Sequence, residues 1–381
     1  MGNAGMSSAS HGHAGHDNIT RMGAGWEFNS DAGRWELIEV RADTKPAVLN
    51  TPLRLATLNV LFDMKLPGGE PTLPDVLRHD LRYESICREL GSLEAHVIGL
   101  NEVTPTMLEK LLQEDWVRQR YRVSVVPHDS RCKDLAAVRG FGNVLLSQLP
   151  VVSVEHIESP AVLGEAREFP VMTFRVAGRD GQAKSISVAS AHLIAFPYLN
   201  ERRRATQLQA LTSELARSLR GLDGCVVMGD FNFHRDAENA SIPPGWSEVP
   251  AVVAAGPTWD IARNTMLPHY LPLRNIYNGF GIGYGRAWAA QMRLDRVLLQ
   301  GSAFDRDAAN AKLFADRPIA ASGDGPSAAA NRCKDNVEAQ TQAPLPLCEA
   351  HRQLPWEAYL FPSDHFGLVL ELPLKCLCGK L

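Results

Sequence analysis

The sequence predicts an α/β fold, on three observations. From Leu53 onward, short apolar runs of strand length alternate with longer segments whose apolar residues recur at helical spacing. Gly, Pro, Asn and Asp punctuate the joints between them. Several apolar runs carry a carboxylate, amide or imidazole at their edge, where strand gives way to loop. These are Leu100-Asn101-Glu102-Val103, Gly229-Asp230-Phe231-Asn232, Arg293-Leu294-Asp295-Arg296, and Ser363-Asp364-His365 ahead of Phe366-Gly367-Leu368.

Composition sets the outer limits. A chain of 381 residues has room for one large domain or two smaller ones with a sizeable core. A hydrophobic content of 45% and a charged content of 22% are ordinary for a globular protein. The net charge of -4 excludes a polycationic nucleic-acid binder and leaves a local basic groove open. Seven cysteines, odd in number and scattered without a C-x-x-C pair, support neither a zinc ribbon nor a disulfide framework. They suggest a reducing compartment, nuclear or cytoplasmic. No apolar run approaches the roughly 18 residues of a membrane span, and the N-terminus lacks an apolar signal core. Met1-Gly2, Cys378-Gly379-Lys380-Leu381 and its last three residues each miss a lipidation or peroxisomal pattern, and we read them as uninstructive.

Residues 1 to about 24 are rich in Gly, Ser, Ala and His, and no fixed structure is expected there. His11, His13 and His16 fall in this tail. Trp26 to Val40 holds two aromatic runs around Ser30-Asp31-Ala32-Gly33, which predicts a hairpin packed on the main domain. Leu53–Val60 reads as a strand, Asp80–Glu94 as a helix, and Val97–Leu100 as a short buried strand. Thr104-Pro105 then opens a helix, because Thr is a favoured N-cap and Pro at the first position loses only a donor that has no partner there.

Strands are expected at 143–147, 151–156, 171–176 and 184–192, the last two joined at Gly178-Arg179-Asp180-Gly181. Leu208, Leu211, Leu215 and Leu219 mark one side of a long helix over 201–219. Strands resume at 225–228, 292–299 and 366–372. Two stretches break the rhythm: 237–256, rich in Pro and small residues, and about 317–355, an inserted surface loop.

The polar edge residues suit one chemistry. Phosphodiester hydrolysis needs charge neutralisation on the non-bridging oxygens, a positioned water and help for the leaving oxygen. Mg²⁺ meets part of this with few protein ligands, because it retains waters and favours carboxylates. Glu102 ends a buried strand just before a helix, where its carboxylate can be held rigidly; alone, a Glu after a strand is more often a surface residue than a ligand. Asp230 and Asn232 follow a buried strand in a tight turn, with Gly229 permitting close backbone approach. The same D-x-N also forms Asx turns, so the tetrapeptide leaves turn and catalysis evenly matched.

A carboxylate at Asp295, inside an apolar strand, requires a partner. His365 is one; Arg293 and Arg296 are the others, although alternation points both to the opposite face. His192 ends a strand and reads either as a phosphate contact or as a core histidine satisfied by a neighbour. Arg202-Arg203-Arg204 reads as a solvated helix face, or as a backbone contact for nucleic acid.

Taken in order, Asn59 in Thr57-Leu58-Asn59-Val60, Glu102, Ser190-Ala191-His192-Leu193, Gly229-Asp230-Phe231-Asn232, Leu294-Asp295-Arg296-Val297 and Ser363-Asp364-His365 resemble the endonuclease/exonuclease/phosphatase family over about residues 52 to 375. Glu102-Val103-Thr104-Pro105, Thr258-Trp259-Asp260 and Pro362–Leu368 resemble its tyrosyl-DNA phosphodiesterase branch, with Asn101 standing where Gln is usual and Phe231 where Thr is.

The resemblance implies a four-layer α/β sandwich, two packed mixed sheets flanked by helices. It implies Mg²⁺, with Mn²⁺ as a substitute, held by Glu102 and Asp364 with Asn59 nearby. It also implies that Asp230 and Asn232 orient water and scissile phosphate, that His192 and His365 stabilise phosphate charge, and that Asp295 orients His365. Arg167, Trp259 and Asp260 would contact substrate. The expected activity is hydrolysis of a 5′-phosphotyrosyl–DNA bond to leave a 5′-phosphate, by a monomer whose partner is a DNA end carrying a 5′ protein adduct. Deadenylation, abasic-site cleavage and phosphoinositide or sphingomyelin hydrolysis share this scaffold, and a non-catalytic binding protein is the remaining alternative.

Overall fold

The computed structural model describes residues 19–21, 23–40, 44–63, 77–127, 140–161, 167–178, 181–195, 200–218, 221–267, 291–319 and 359–375. The histidine tail and nearly all of the expected 317–355 insertion lie outside the described residues. The first strands are β1 (Ile19–Arg21), β2 (Trp26–Asn29), β3 (Arg34–Leu37), β4 (Ala47–Val48), β5 (Leu53–Asn59) and β6 (Val97–Val103). Next come β7 (Arg122–Val123), β8 (Gly142–Ser147), β9 (Val151–Glu158), β10 (Glu168–Ala177), β11 (Ala183–Ser190) and β12 (Gly224–Asp230). The last are β13 (Ser247–Glu248), β14 (Trp259–Asp260), β15 (Gln291–Met292), β16 (Asp295–Gly301), β17 (Asn310–Phe314) and β18 (Gly367–Leu372). The helices are α1 (His79–Ser92), α2 (Pro105–Gln113), α3 (Asp115–Arg120), α4 (Glu201–Ser218) and α5 (Pro250–Ala255).

Two mixed eight-stranded sheets form the body. The first has the order β1-β9-β10-β11-β12-β16-β13, with β4 on β10; the second has the order β17-β18-β5-β6-β8-β7-β2-β3. Phe174, Val188, Val226 and Val297 of the first sheet share one core with Leu55, Ile98 and Leu145 of the second. The sheets approach closely: a Cβ on Gly99 of β6 would stand 2.9 Å from the Met228 side chain of β12. Helix α4 covers the outer face of the first sheet through Leu208, Leu211 and Leu215. Helices α1 and α2 add Ile86, Leu90, Met107 and Leu111 to the core of the second. The layers are those of a four-layer α/β sandwich. No described helix is long and apolar enough to cross a membrane.

Two parallel pairs organise the site. Parallel neighbours need a crossover connection; α1 supplies it between β5 and β6, and α4 supplies it between β11 and β12. Thr104 caps α2 as its sequence predicts, its Oγ1 accepting from the Met107 N–H at 3.2 Å.

Several expectations need correction. Ile19–Arg21, placed in the unstructured tail, pairs antiparallel with β9. A sheet edge presents unpaired backbone groups that three residues of almost any composition can satisfy. Strand β17 was not foreseen, because its alternation rests on Ala and Leu between polar residues; it pairs with β18. The strand expected over 292–299 is divided: Met292 belongs to β15, and β16 begins at Asp295. The break lies where Thr258 Oγ1 takes the N–H groups of both Leu294 and Asp295. The aromatic hairpin forms, with Phe28 opposite Trp35, and extends the second sheet through Trp26 opposite Val123.

Candidate active site

Strand direction gathers the polar residues at one edge. Asn59 stands opposite Asn101 on the parallel pair β5/β6, and Ser190 stands opposite Met228 on β11/β12. Because β16 runs antiparallel to β12, its first residue, Asp295, faces Asp230. Because β18 runs antiparallel to β5, Asp364 and His365 enter where Asn59 leaves. Carboxyl ends of parallel strands are where open α/β sheets hold ligands.

Local backbone shape then aims the side chains. Glu102 has φ 60°, in the left-handed region, at a bulge where β6 and β8 lose register between Leu100 and Val103. Glutamate seldom adopts that conformation, and bulges re-aim side chains beside active sites. The Phe62 N–H donates to Glu102 Oε2 at 3.2 Å. Gly229 has φ 137°, and a Cβ there would lie 2.1 Å from the Ala191 carbonyl oxygen. Only glycine lets β12 pass so close to the loop that carries His192.

Asp230 is the hub. Its Oδ2 accepts from Asn59 Nδ2 at 3.0 Å and Asn232 Nδ2 at 3.1 Å, and its Oδ1 accepts from the Asn232 N–H at 2.8 Å. Asn232 sits at φ 51°, which asparagine tolerates. His192 Nε2 stands 3.7 Å from both Asp230 Oδ2 and Glu102 Oε1, and His365 Nε2 stands 3.8 Å from Asp230 Oδ2. His365 Nδ1 donates to Asp295 Oδ2 at 2.7 Å. Arg293 and Arg296, the alternative partners of Asp295, both bind Glu248 instead, at 2.6 and 2.9 Å.

Burial raises the Asp230 carboxyl to about 7, with Asp295 adding to the rise and His365 and the amide donors opposing it. Burial acts the other way on His365, yet the carboxylates of Asp295, Asp230 and Asp364 hold it up at about 10. The carboxylates around it favour the charged imidazole, with Asp295 setting its orientation.

The remaining candidates fall nearby in different ways. Ser363 Oγ donates to the Asn59 carbonyl at 2.5 Å and lies 3.3 Å from Asp364 Oδ1, which fastens Asp364 to the end of β5. The Arg167 guanidinium lies 5.3 Å over the Phe141 ring, which stacks on Phe62 at 4.6 Å and lies 6.2 Å from the His192 ring. The Trp259 indole meets the His365 ring edge-on at 5.4 Å. Asp260 is buried, and its carboxylate accepts from the N–H groups of Ala262 and Arg263 and from Gln291 Nε2. In that arrangement it holds the turn after β14.

Sequence reasoning missed four further contributors. Asn101 Oδ1 accepts the Asp230 N–H at 2.9 Å while its Nδ2 donates to Asn143 at 2.8 Å and Ser190 at 3.2 Å, tying the two sheets behind the site. Phe62 and Phe141 form the platform beneath Arg167, and nothing in their local sequence marks them. Arg204, expected on a solvated face, is fully buried, with Nε donating to Glu238 Oε2 at 2.7 Å and Nη1 to the Ile194 carbonyl at 3.2 Å.

The donor chemistry fits a hard divalent cation. Glu102, Asn59 and Asp364 offer oxygen at this one edge. Among the described residues no three His, Cys, Asp or Glu side chains close into a complete metal cage. Mg²⁺ does not need one, since it keeps several waters and takes one or two carboxylates. Glu102, turned out of register at the bulge with one oxygen 3.7 Å from His192, is the carboxylate best placed to serve.

The model of the endonuclease/exonuclease/phosphatase family matches residues 56–365. No curated protein matches the sequence. Among solved structures, truncated TDP2 of Caenorhabditis elegans is similar with a TM-score of 0.52 and 15% identity, covering 84% of this chain and 96% of that one. Human nocturnin's catalytic domain is similar with a TM-score of 0.50 and 17% identity, covering 86% and 96%. At such identities the likeness is one of fold. The family match spans most of the chain and includes Asn59, Glu102, His192, Asp230, Asn232, Asp295, Asp364 and His365. This chain belongs to the endonuclease/exonuclease/phosphatase family.

Proposed function

We propose that this protein is a Mg²⁺-dependent phosphodiesterase acting on nucleic-acid ends, which hydrolyses a 5′-phosphotyrosyl–DNA bond and leaves a 5′-phosphate. The observation that carries the reading is the Asp230 hub. One buried carboxylate is fixed by two amides and flanked by two imidazoles, the second of them favoured in its charged form and oriented by Asp295. Asp230, with its pKa raised to about 7, is suited to accept a proton from an attacking water near neutral pH. Asn59 and Asn232 keep its oxygens aimed. His192 and His365 each present Nε2 toward the same carboxylate, a spacing from which both can donate to non-bridging phosphate oxygens. A cation bound at Glu102 and Asp364 would neutralise charge on the phosphate and on the departing phenolate oxygen.

The tyrosyl-DNA substrate is supported by the Glu102–Pro105, Thr258–Asp260 and Pro362–Leu368 segments. The aromatic rings and the arginine at the rim offer a surface on which an unpaired nucleotide could stack, so binding does not require a basic protein. The test is a turnover panel with 5′-phosphotyrosyl oligonucleotide, poly(A), abasic duplex and inositol phosphates, in Mg²⁺ and in EDTA. Preferential, EDTA-sensitive release of tyrosine that Glu102→Ala abolishes is expected. Preference for another member of the panel would retain the metallophosphodiesterase and replace the substrate. No turnover of any of the four would leave a binding protein.

A further inference from the structure

Helix α1 carries a buried arginine whose bonding pattern points away from a purely structural role. Arg82 is 0% exposed, and all five of its N–H donors are engaged. Nε donates to the Leu77 carbonyl at 2.9 Å. Nη1 donates to the carbonyls of Val60 at 3.0 Å and Pro362 at 2.9 Å. Nη2 donates to the Leu61 carbonyl at 2.9 Å and meets His79 Nδ1 at 3.0 Å. Val60 and Leu61 directly follow Asn59, and Pro362 directly precedes Ser363-Asp364. One guanidinium therefore grips both loops that deliver oxygen ligands from the second sheet.

The grip passes through peptide groups to the ligands themselves. The Leu61–Phe62 peptide has its carbonyl on Arg82 and its N–H on Glu102 Oε2. The Val60–Leu61 peptide has its carbonyl on Arg82 and its N–H on Asn59 Oδ1, at 3.0 Å. Leu61 is held at φ 54°, a conformation a leucine abandons unless its surroundings enforce it. Groups that orient metal ligands from behind typically control metal affinity about 10- to 100-fold.

We propose that Arg82, seated on His79, is the positioning residue of the cation site: through two consecutive peptides and the Pro362 carbonyl it fixes Asn59, Glu102 and Asp364 relative to one another. The proposal rests on the metal-dependent reading above. Arg82 touches neither cation nor substrate in this role.

The experiment measures Mn²⁺ binding to the whole protein by calorimetry and by electron paramagnetic resonance, alongside the Mg²⁺ dependence of turnover. Wild type, Glu102→Gln, Arg82→Lys, His79→Ala and a core-destabilised control, Leu108→Ala, are compared. Arg82→Lys is expected to weaken Mn²⁺ binding about 10- to 100-fold and to raise the half-saturating Mg²⁺ by a similar factor, with kcat at saturating metal changed less than about threefold. His79→Ala, at a partly buried position that keeps the arginine, is expected to shift both in the same direction by several-fold. Leu108→Ala is expected to lower Tm and leave Mn²⁺ affinity unchanged.

If wild type binds no Mn²⁺, or binds it equally well in Glu102→Gln, the metal reading itself fails. If wild-type binding depends on Glu102 while Arg82→Lys and His79→Ala bind as tightly as wild type, the Arg82 proposal alone is overturned. Should Arg82→Lys not fold, His79→Ala decides between these outcomes.

Discussion

The two parallel units of this molecule meet the same requirement with different hardware. In each, a crossover helix carries a buried arginine near its start that binds carbonyls of the loop after the preceding strand: Arg82 for β5-α1-β6 and Arg204 for β11-α4-β12. Arg204 is neutralised by Glu238, which also accepts the N–H groups of His234 and Arg235, so that unit closes on a local ion pair. Arg82 binds backbone from three separate segments of chain. The catalytic side chains differ in parallel. Asp230 and Asn232 bind each other, Asn59 reaches across to Asp230 and Asp295 binds His365, whereas Glu102 and the backbone ahead of Asp364 are tied to loops that Arg82 holds from behind. On the proposed function, the β11-α4-β12 unit would be preset for proton and phosphate chemistry, and the β5-α1-β6 unit would be the clasp for a cation.

The largest effect should come from the preset half. Asp230→Asn keeps the shape and removes the proton acceptor, and we expect kcat to fall about 10³-fold with half-saturating Mg²⁺ nearly unchanged, measured by steady-state hydrolysis. An equal loss of metal affinity would merge the two halves into one. Next, Arg204→Met leaves Glu238 buried without its partner, and a loss of about 3–5 kcal/mol in urea unfolding is expected. Retention of full stability would show that the ion pair contributes nothing to that unit. Gly229→Ala forces a Cβ against the Ala191 carbonyl at a positive φ, and we expect about 2–4 kcal/mol of destabilisation, with a matching drop in Tm.

A pH series sharpens the comparison further. Burial and the neighbouring Arg82 lower His79 to about 4, and burial with Arg204 lowers His234 to about 3. Both rings fold neutral, so their contribution to stability is complete above about 6.5 and drains away as pH falls, through about 4 for His79 and about 3 for His234. Each adds up to about 1.4 kcal/mol per pH unit within its window. Replacing His79 with Gln should flatten the acid limb between about 6.5 and about 4, and replacing His234 should flatten it from about 6.5 down to about 3, so only the His234 variant alters the lowest part. Unchanged acid limbs in both variants would place the titrating groups elsewhere.

Much of this was legible in the sequence because the signals are local. Apolar runs such as Leu53–Asn59 and Gly224–Asp230 announce buried strands, and a polar residue at their ends announces a site edge. The antiparallel return of Asp295 and His365 then follows from the family resemblance rather than from any short-range rule. What stayed hidden depends on distant partners. Arg204 sits in a run of three arginines that reads as solvated, and only Glu238 and the Ile194 carbonyl explain its burial. Arg82 is unremarkable beside Leu81 and Tyr83 until the loops after β5 and before β18 arrive to meet it. Phe62 and Phe141 lie far apart in sequence and acquire meaning from stacking on each other. Asp260 entered through the family resemblance, and the hydrogen bonds that hold the turn after it could not be read from the sequence.

The central claim is that oxygen ligands from β5, β6 and the loop before β18 converge on one cation. Anomalous diffraction from crystals grown with Mn²⁺ tests it most directly. The account predicts a single strong peak within coordinating distance of Glu102 and on the Asp364 side of Asn59, absent in Glu102→Gln. A peak remote from Glu102, or one that survives its substitution, would contradict it.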